Sequence, residues 1–152
     1  MYHRVLLPLD GSELALSALP HARHVSGSDT ELLLLQVVSP VDTYFAPHGL
    51  DPEELRQTQL RAAREFLEQK KRDLEAEGLH ARVLVLEGQA ARCIVETATR
   101  ETVDLVVLSS HGHSGLRRIF FGSVAQKVLR RAPCPVLVVR QGLAASPADR
   151  PG

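Results

Sequence analysis

Aromatic residues and cysteines are scarce in this chain of 152 residues. Aromatic residues make up 4% of it and tryptophan is absent, so a folded core must be built from aliphatic side chains. The two cysteines, Cys93 and Cys134, lack the CxxC or Cys/His spacing of a zinc site or a redox pair. We interpret both as structural thiols in a reducing compartment, which predicts a cytoplasmic protein.

Net charge and long apolar runs are missing as well. Eighteen basic residues balance eighteen acidic ones, so no overall field favours nucleic acid or a membrane as a partner. No apolar stretch reaches the ~18 residues of a membrane span, and no basic-then-apolar leader pattern opens the chain. The composition predicts one folded domain over residues 1–140 and a disordered Ala-, Pro- and Gly-rich tail over 141–152.

Five short apolar runs alternate with helical patterns. Several runs are almost continuously apolar, as in LLLLQVV, which is typical of parallel strands buried on both faces. The predicted strands are Arg4–Leu9, Leu32–Val38, Ala81–Leu86, Leu105–Leu108 and Val136–Val139. The four predicted helices start at Asp10, at Asp51-Pro52, at about Ala90 and at Ser123, and a long loop covers Ser39–Leu50. This alternation predicts a doubly wound α/β fold with helices on both faces of the sheet.

A glycine-bearing segment between the fourth and fifth predicted strands could bind phosphate. Its spacing, Gly112-x2-Gly115 and then Gly122-Ser123, is neither a Walker A loop nor the GxGxxG fingerprint. Glycine lets the backbone approach a phosphate closely, and a helix N-terminus attracts anions. The alternative is that Ser123-x-x-Gln126 is only a capping box and the glycines only form a turn.

The same segment resembles the signature of the universal stress protein family, Gly-x2-Gly-x9-Gly-Ser/Thr. Gly112 followed after nine residues by Gly122-Ser123 matches its last two elements. The segments HRVLLPLDGSELALSAL, LLLLQVVSP and APCPVLVV are also similar to the family, so the resemblance covers about residues 2 to 140. It implies a Rossmann-like, five-stranded parallel sheet of order 3-2-1-4-5. Its edge strand, Val136–Arg140, is expected to pair with a second copy in a homodimer unless the C-terminal tail shields it.

The resemblance further implies that the ligand is ATP or another adenine nucleotide, with any Mg²⁺ held mainly by the phosphates. Pro8, Asp10 and Val37 would contact the adenosine, although Asp10 also fits a plain helix N-cap. The triphosphate would lie against two segments: Ser109, Ser110, His111, Gly112, His113, Ser114 and Gly115 in the first, and Gly122, Ser123 and Val124 in the second. We interpret His111 and His113 as surface histidines with at most an electrostatic role.

Two positions depart from the family pattern. Ser109 replaces the first signature glycine, and Ala90 stands where the family often has proline. The sequence also lacks catalytic motifs such as GxSxG. We therefore predict a regulatory ATP-binding protein with at most slow ATP hydrolysis. The alternatives are a dimerising interaction module that has lost nucleotide binding, with Ser109 as the sign of the loss, and a slow ATPase or autophosphorylating protein.

Overall fold

The computed structural model describes residues 1–42, 48–110 and 122–140, and its centre is a sheet of five parallel strands. The strand order is β3-β2-β1-β4-β5, which confirms the predicted topology. The strands are β1 (Arg4–Pro8), β2 (Glu31–Val38), β3 (His80–Glu87), β4 (Leu105–Ser109) and β5 (Val136–Val139). Each predicted apolar run forms one of these strands.

Helices cover both faces of the sheet, as predicted. They are α1 (Glu13–Leu16), α2 (Leu19–Val25), α3 (Pro52–Ala76), α4 (Ala90–Arg100) and α5 (Ser123–Arg131). One aliphatic core lies between the sheet and α1, α2 and α3, and a second lies between the sheet and α4 and α5. Alternate residues of β2 supply both cores, because successive strand side chains point to opposite faces. Leu32 and Leu34 face the first core, and Leu33 and Leu35 face the second.

The first helical segment differs from the prediction in two ways. It is split into α1 and α2, because Pro20 has no N–H for a bond to the carbonyl of Leu16 and its ring would clash there. The chain therefore has five helices in its described part, where four were predicted. The direct N-cap is Ser12, whose hydroxyl accepts a bond of 3.1 Å from the N–H of Ala15. Asp10 does not cap the helix itself. Its carboxylate accepts a bond of 2.9 Å from the N–H of Ser12 and so holds the capping residue in place.

A chain of ion pairs joins the amino ends of β1, β2 and β3. Glu31 accepts bonds of 2.8 Å from Arg4 Nε and 3.1 Å from Arg82 Nε. Arg82 also donates to Glu101 Oε2 at 2.6 Å, and Arg4 donates to the carbonyl oxygen of Glu101. These contacts link three strands to the turn that follows α4.

Asp104, just before β4, forms hydrogen bonds with the amino-terminal residues of the chain at the same end of the sheet. Its carboxylate accepts bonds of 2.8 Å from the N–H of His3 and 2.9 Å from the N–H of Arg4.

Across the described residues, the helices include none with the length and apolar character needed to cross a membrane.

Candidate functional site

A cavity of about 240 Å³ opens at the opposite end of the sheet, above the carboxyl ends of β1, β2 and β4. The strand order reverses there, because β2 lies on one side of β1 and β4 on the other. Ligands of open α/β sheets bind in the crevice at such a switch point. The topology therefore creates this cavity, and the helices that follow the strands supply its walls.

Eight of the thirteen residues predicted to bind nucleotide line this one cavity. They are Pro8, Asp10, Val37, Ser109, Ser110, Gly122, Ser123 and Val124. The other five, His111, Gly112, His113, Ser114 and Gly115, lie outside the described residues. The fold thus brings together positions that are more than 110 residues apart in sequence, while their role in ligand binding remains a prediction.

The remaining wall of the cavity is aliphatic and was not predicted as part of the site. It is formed by Leu9, Ala15, Leu35, Ala90, Ile94, Leu108 and Ala125. Periodicity could have found one of these residues, Leu35, beside the predicted Val37, but not the face that α4 turns to the cavity. Ile94 lies four residues after Ala90, so both occupy one face of α4, and Leu35 shares a face of β2 with Val37.

The Asp10 carboxylate lies at the rim, in the turn between β1 and α1. Gly11 has φ +82° in this turn, a conformation that a side chain would strain. Asp10 Oδ1 already accepts bonds from the N–H and the hydroxyl of Ser12, and Asp10 is half-buried. It is the single acidic side chain among the described residues of the cavity wall. The site can therefore hold one fixed carboxylate beside an apolar surface.

The N-terminus of α5 opens into the cavity through Ser123 and Val124. Gly122 occupies the N-cap position and provides no side chain to cap the helix. The capping-box interpretation of Ser123 and Gln126 is therefore wrong, since the helix begins one residue too early for it. First-turn N–H groups have no carbonyl four residues earlier within their helix, and they carry the positive end of its dipole. This wall of the cavity suits an anion.

Gly122 itself is tied to the end of β4. Its N–H donates to the carbonyl oxygen of Ser110 at 2.8 Å, and a Cβ at this position would come within 3.2 Å of the same oxygen. The N–H of Ser110 donates to the carbonyl oxygen of Val139 at 2.9 Å. Residue 122 is therefore a place of close backbone approach, and glycine fits it because it has no Cβ.

Ser109 ends β4 in extended conformation and pairs with Val139 of β5. Among the described non-glycine residues, Thr102 alone has a positive φ. Ser109 thus adopts a backbone that any residue can adopt. Its replacement of the first signature glycine therefore costs no backbone strain.

The described residues offer little for metal or thiol chemistry. They contain no cluster of three or more His, Cys, Asp and Glu side chains that could hold a metal ion. Cys93 and Cys134 are free thiols. Burial raises the pKa of both thiols, so they are neutral at physiological pH.

Comparison with known proteins places the chain in a family. The family model described as "Universal stress protein family" matches residues 1–140. A universal stress protein of Methanocaldococcus jannaschii, MJ0531, is 34% identical over 93% of this chain and 84% of its own length. Universal stress protein YxiE of Bacillus subtilis is 32% identical over 92% of this chain and all of its own length.

Solved structures agree with these relatives. The structure of MJ0577 from M. jannaschii superposes with a TM-score of 0.82 at 30% identity, covering 95% of this chain and 99% of MJ0577. One universal stress protein solved in complex with cAMP, at 24% identity, and one from Arabidopsis thaliana with AMP bound, at 20%, share the fold. The chain belongs to the universal stress protein family.

Proposed function

We propose that this protein binds an adenine nucleotide, ATP in particular, in the cavity at the carboxyl ends of β1 and β4. The single observation that carries the proposal is the convergence of eight separately predicted residues on one cavity. They come from β1, β2, β4 and the start of α5. Nucleotide would act as a signal in a stress response by favouring one conformation of the protein over another.

The two sides of the cavity match the two ends of a nucleotide. Val37, Leu35 and Ile94 form an apolar surface on which a purine can lie. The start of α5, which also lines the cavity, has no side-chain cap, so its first-turn N–H groups and its dipole favour phosphate. Asp10 stands at the rim, where a ribose hydroxyl could donate to its carboxylate. A hydrogen bond to a charged group contributes roughly 1.5–3 kcal/mol, so a few of them suffice for micromolar affinity.

Magnesium would be held mainly by the phosphates of the nucleotide. Asp10 is the one carboxylate on the described part of the wall, and two oxygens on one residue do not make a dedicated site for the ion. The same fold holds cAMP in one solved universal stress protein and AMP in another, so the architecture accommodates adenine nucleotides.

Two rival functions are less well supported. The hypothesis that the protein has lost nucleotide binding depended on Ser109. The extended backbone of Ser109 removes the conformational reason for that loss. An ATPase would need a group that activates water, and Asp10, the one carboxylate on the described part of the wall, is assigned to the ribose in this arrangement. We therefore favour a binding role without catalysis. A cytoplasmic location and the domain boundary at residue 140 stay predictions, and the tail over 141–152 lies outside the described residues.

We also propose that the protein is a homodimer paired through β5. This strand is at the edge of the sheet and has four residues, without proline or charge. Leu137 of β5 is 37% exposed and Leu129 of the neighbouring α5 is 42% exposed, which is high for leucine. Open apolar edges of this kind are normally covered, and a second copy in antiparallel pairing would cover this one.

Isothermal titration of nucleotide-stripped protein with Mg-ATP tests the proposed ligand, with AMP and GTP as controls. We expect micromolar or tighter binding of ATP and weaker binding of GTP. Absence of both heat and a thermal shift at millimolar ATP would leave the dimerising interaction module as the better function. Steady phosphate release above a buffer blank, lost in Asp10→Ala, would instead make the protein an ATPase.

A further inference from the structure

From the backbone contacts around Ser110 we infer that nucleotide binding in the cavity and homodimer pairing at β5 are thermodynamically coupled, each strengthening the other. The inference rests on the proposed function, since it needs both a nucleotide and a dimer. It adds that bound nucleotide strengthens the dimer and that the dimer strengthens nucleotide binding.

The coupling runs through backbone hydrogen bonds that join the cavity wall to the edge strand. Ser110 is 5% exposed and lines the cavity. Its N–H donates to the carbonyl oxygen of Val139 at 2.9 Å, and its own carbonyl oxygen accepts from the N–H of Gly122 at 2.8 Å. The last residue of β5 and the N-cap of α5 are thus both bonded to one wall residue.

The edge strand depends strongly on these contacts because it is short. β5 pairs with β4 over four residues, from Val136 to Val139. Strand ends open locally more easily than strand centres, and a partner copy can pair only with an ordered edge. A ligand that holds Ser109, Ser110 and the start of α5 in place fixes the carboxyl end of β5. The partner copy then has less disorder to overcome when it pairs.

Linkage makes the effect reciprocal: with one nucleotide site per subunit, the factor by which saturating nucleotide tightens the dimer equals the product of the factors by which dimerisation tightens binding at the two sites. Coupling between distinct sites is typically about 5- to 150-fold. We therefore expect Mg-ATP to lower the dimer dissociation constant by at least about fivefold.

The experiment measures the two equilibria separately on the full chain. Sedimentation equilibrium gives the dimer dissociation constant with and without saturating Mg-ATP, and calorimetry gives nucleotide affinity. Bound ATP with a dimer constant unchanged within about twofold would overturn the coupling and leave the proposed function standing. Absence of ATP binding, or of a dimer, would overturn the proposed function and the coupling together.

A variant that weakens pairing of two copies at β5 tests whether the dimer in turn strengthens ATP binding. Leu137→Glu places a charge on the exposed side of β5, so it should shift the protein to monomer. ATP affinity per site should then fall by the square root of the factor by which Mg-ATP tightens the parent dimer. Leu137→Ser serves as a milder second variant should the first fail to fold. Ala62→Glu, on the exposed surface of α3, introduces the same charge away from β5 and should change neither constant. A folded monomer with undiminished ATP affinity would contradict the inference.

Discussion

The hydroxyls of Thr97 and Thr99, two residues apart on α4, lie in opposite environments. Thr99 is exposed, and its hydroxyl donates to the carbonyl oxygen of Val95 at 3.0 Å. Thr97 is fully buried, and its hydroxyl has no hydrogen-bond partner. A buried polar group without a partner loses its hydration without compensation, which costs roughly 1–3 kcal/mol.

Thr97→Val should therefore stabilise the protein. Valine has nearly the same shape and removes the unpaired hydroxyl, so we expect the free energy of unfolding to rise by about 1 kcal/mol. Urea denaturation followed by circular dichroism measures this change. Thr99→Val on the same helix is the control and should be neutral or slightly destabilising. A loss of stability in Thr97→Val would show that the hydroxyl is paired in solution.

Gly122→Val should weaken nucleotide binding without unfolding the protein. A Cβ at residue 122 comes within 3.2 Å of the carbonyl oxygen of Ser110, so a branched side chain must push the start of α5 away from β4. Overpacking costs roughly 1–3 kcal/mol. Where restoring the phosphate-binding position of α5 in the bound state requires that cost, ATP affinity falls by about 5- to 150-fold. Gly122→Ala should have a smaller effect. Arg130→Val, exposed on the same helix, should leave calorimetric affinity unchanged.

Ser109→Gly restores the family residue and should change ATP affinity little. Because Ser109 is extended, glycine brings no conformational benefit, and its extra freedom in the unfolded chain lowers stability by about 0.5–1 kcal/mol. Calorimetry and thermal unfolding of the two proteins test both statements. If Ser109→Gly bound ATP and the parent did not, the serine would have closed the site and the interaction module would be the better function.

Asp104 should contribute stability that is lost in acid. Burial by itself would raise the pKa of this carboxyl, but hydrogen bonds from the backbone N–H groups of His3 and Arg4 hold the pKa below its usual value. A lowered folded-state pKa means that the stabilisation is complete above the unfolded pKa of about 3.9 and disappears as pH falls through the folded value.

Asp104→Ala should thus lower the free energy of unfolding at pH 7 by roughly 1.5–3 kcal/mol, because two bonds to a charged acceptor are lost. The difference from the parent should shrink as pH falls below about 4. Urea titrations across this range measure it. Asp29→Ala, an exposed aspartate in the turn before β2, is the matched control. A pH-independent difference would rule out the charge as the cause.

The strands could be predicted from sequence because each depends on a local pattern. LLLLQVV is apolar at every position but one, and only a strand buried on both faces needs that. The strand order came from resemblance to the family, since periodicity does not encode which strands are neighbours. Asp10 and Ser109 could be placed at one edge because parallel strands end together.

The contacts that depend on tertiary geometry could not be predicted. Nothing local shows that the N–H of Gly122 is bonded to Ser110, because that bond requires the positions of β4 and α5. Ala90 and Ile94 face the cavity only because α4 packs beside α5. The break at Pro20 is different, since proline inside a helical pattern ends the helix before it and could have predicted the division into α1 and α2.

The ion-pair chain of Arg4, Glu31, Arg82 and Glu101 lies at the amino ends of the strands, and the cavity lies at their carboxyl ends. The residues that fasten the sheet are therefore different from the residues that face a ligand. Polar positions of the wall, such as Ser109, can be substituted without touching those ion pairs, whereas Leu35 and Leu108 line the cavity and also belong to the buried core. A change of ligand would therefore begin at the polar positions and leave the opposite end of the sheet as it is.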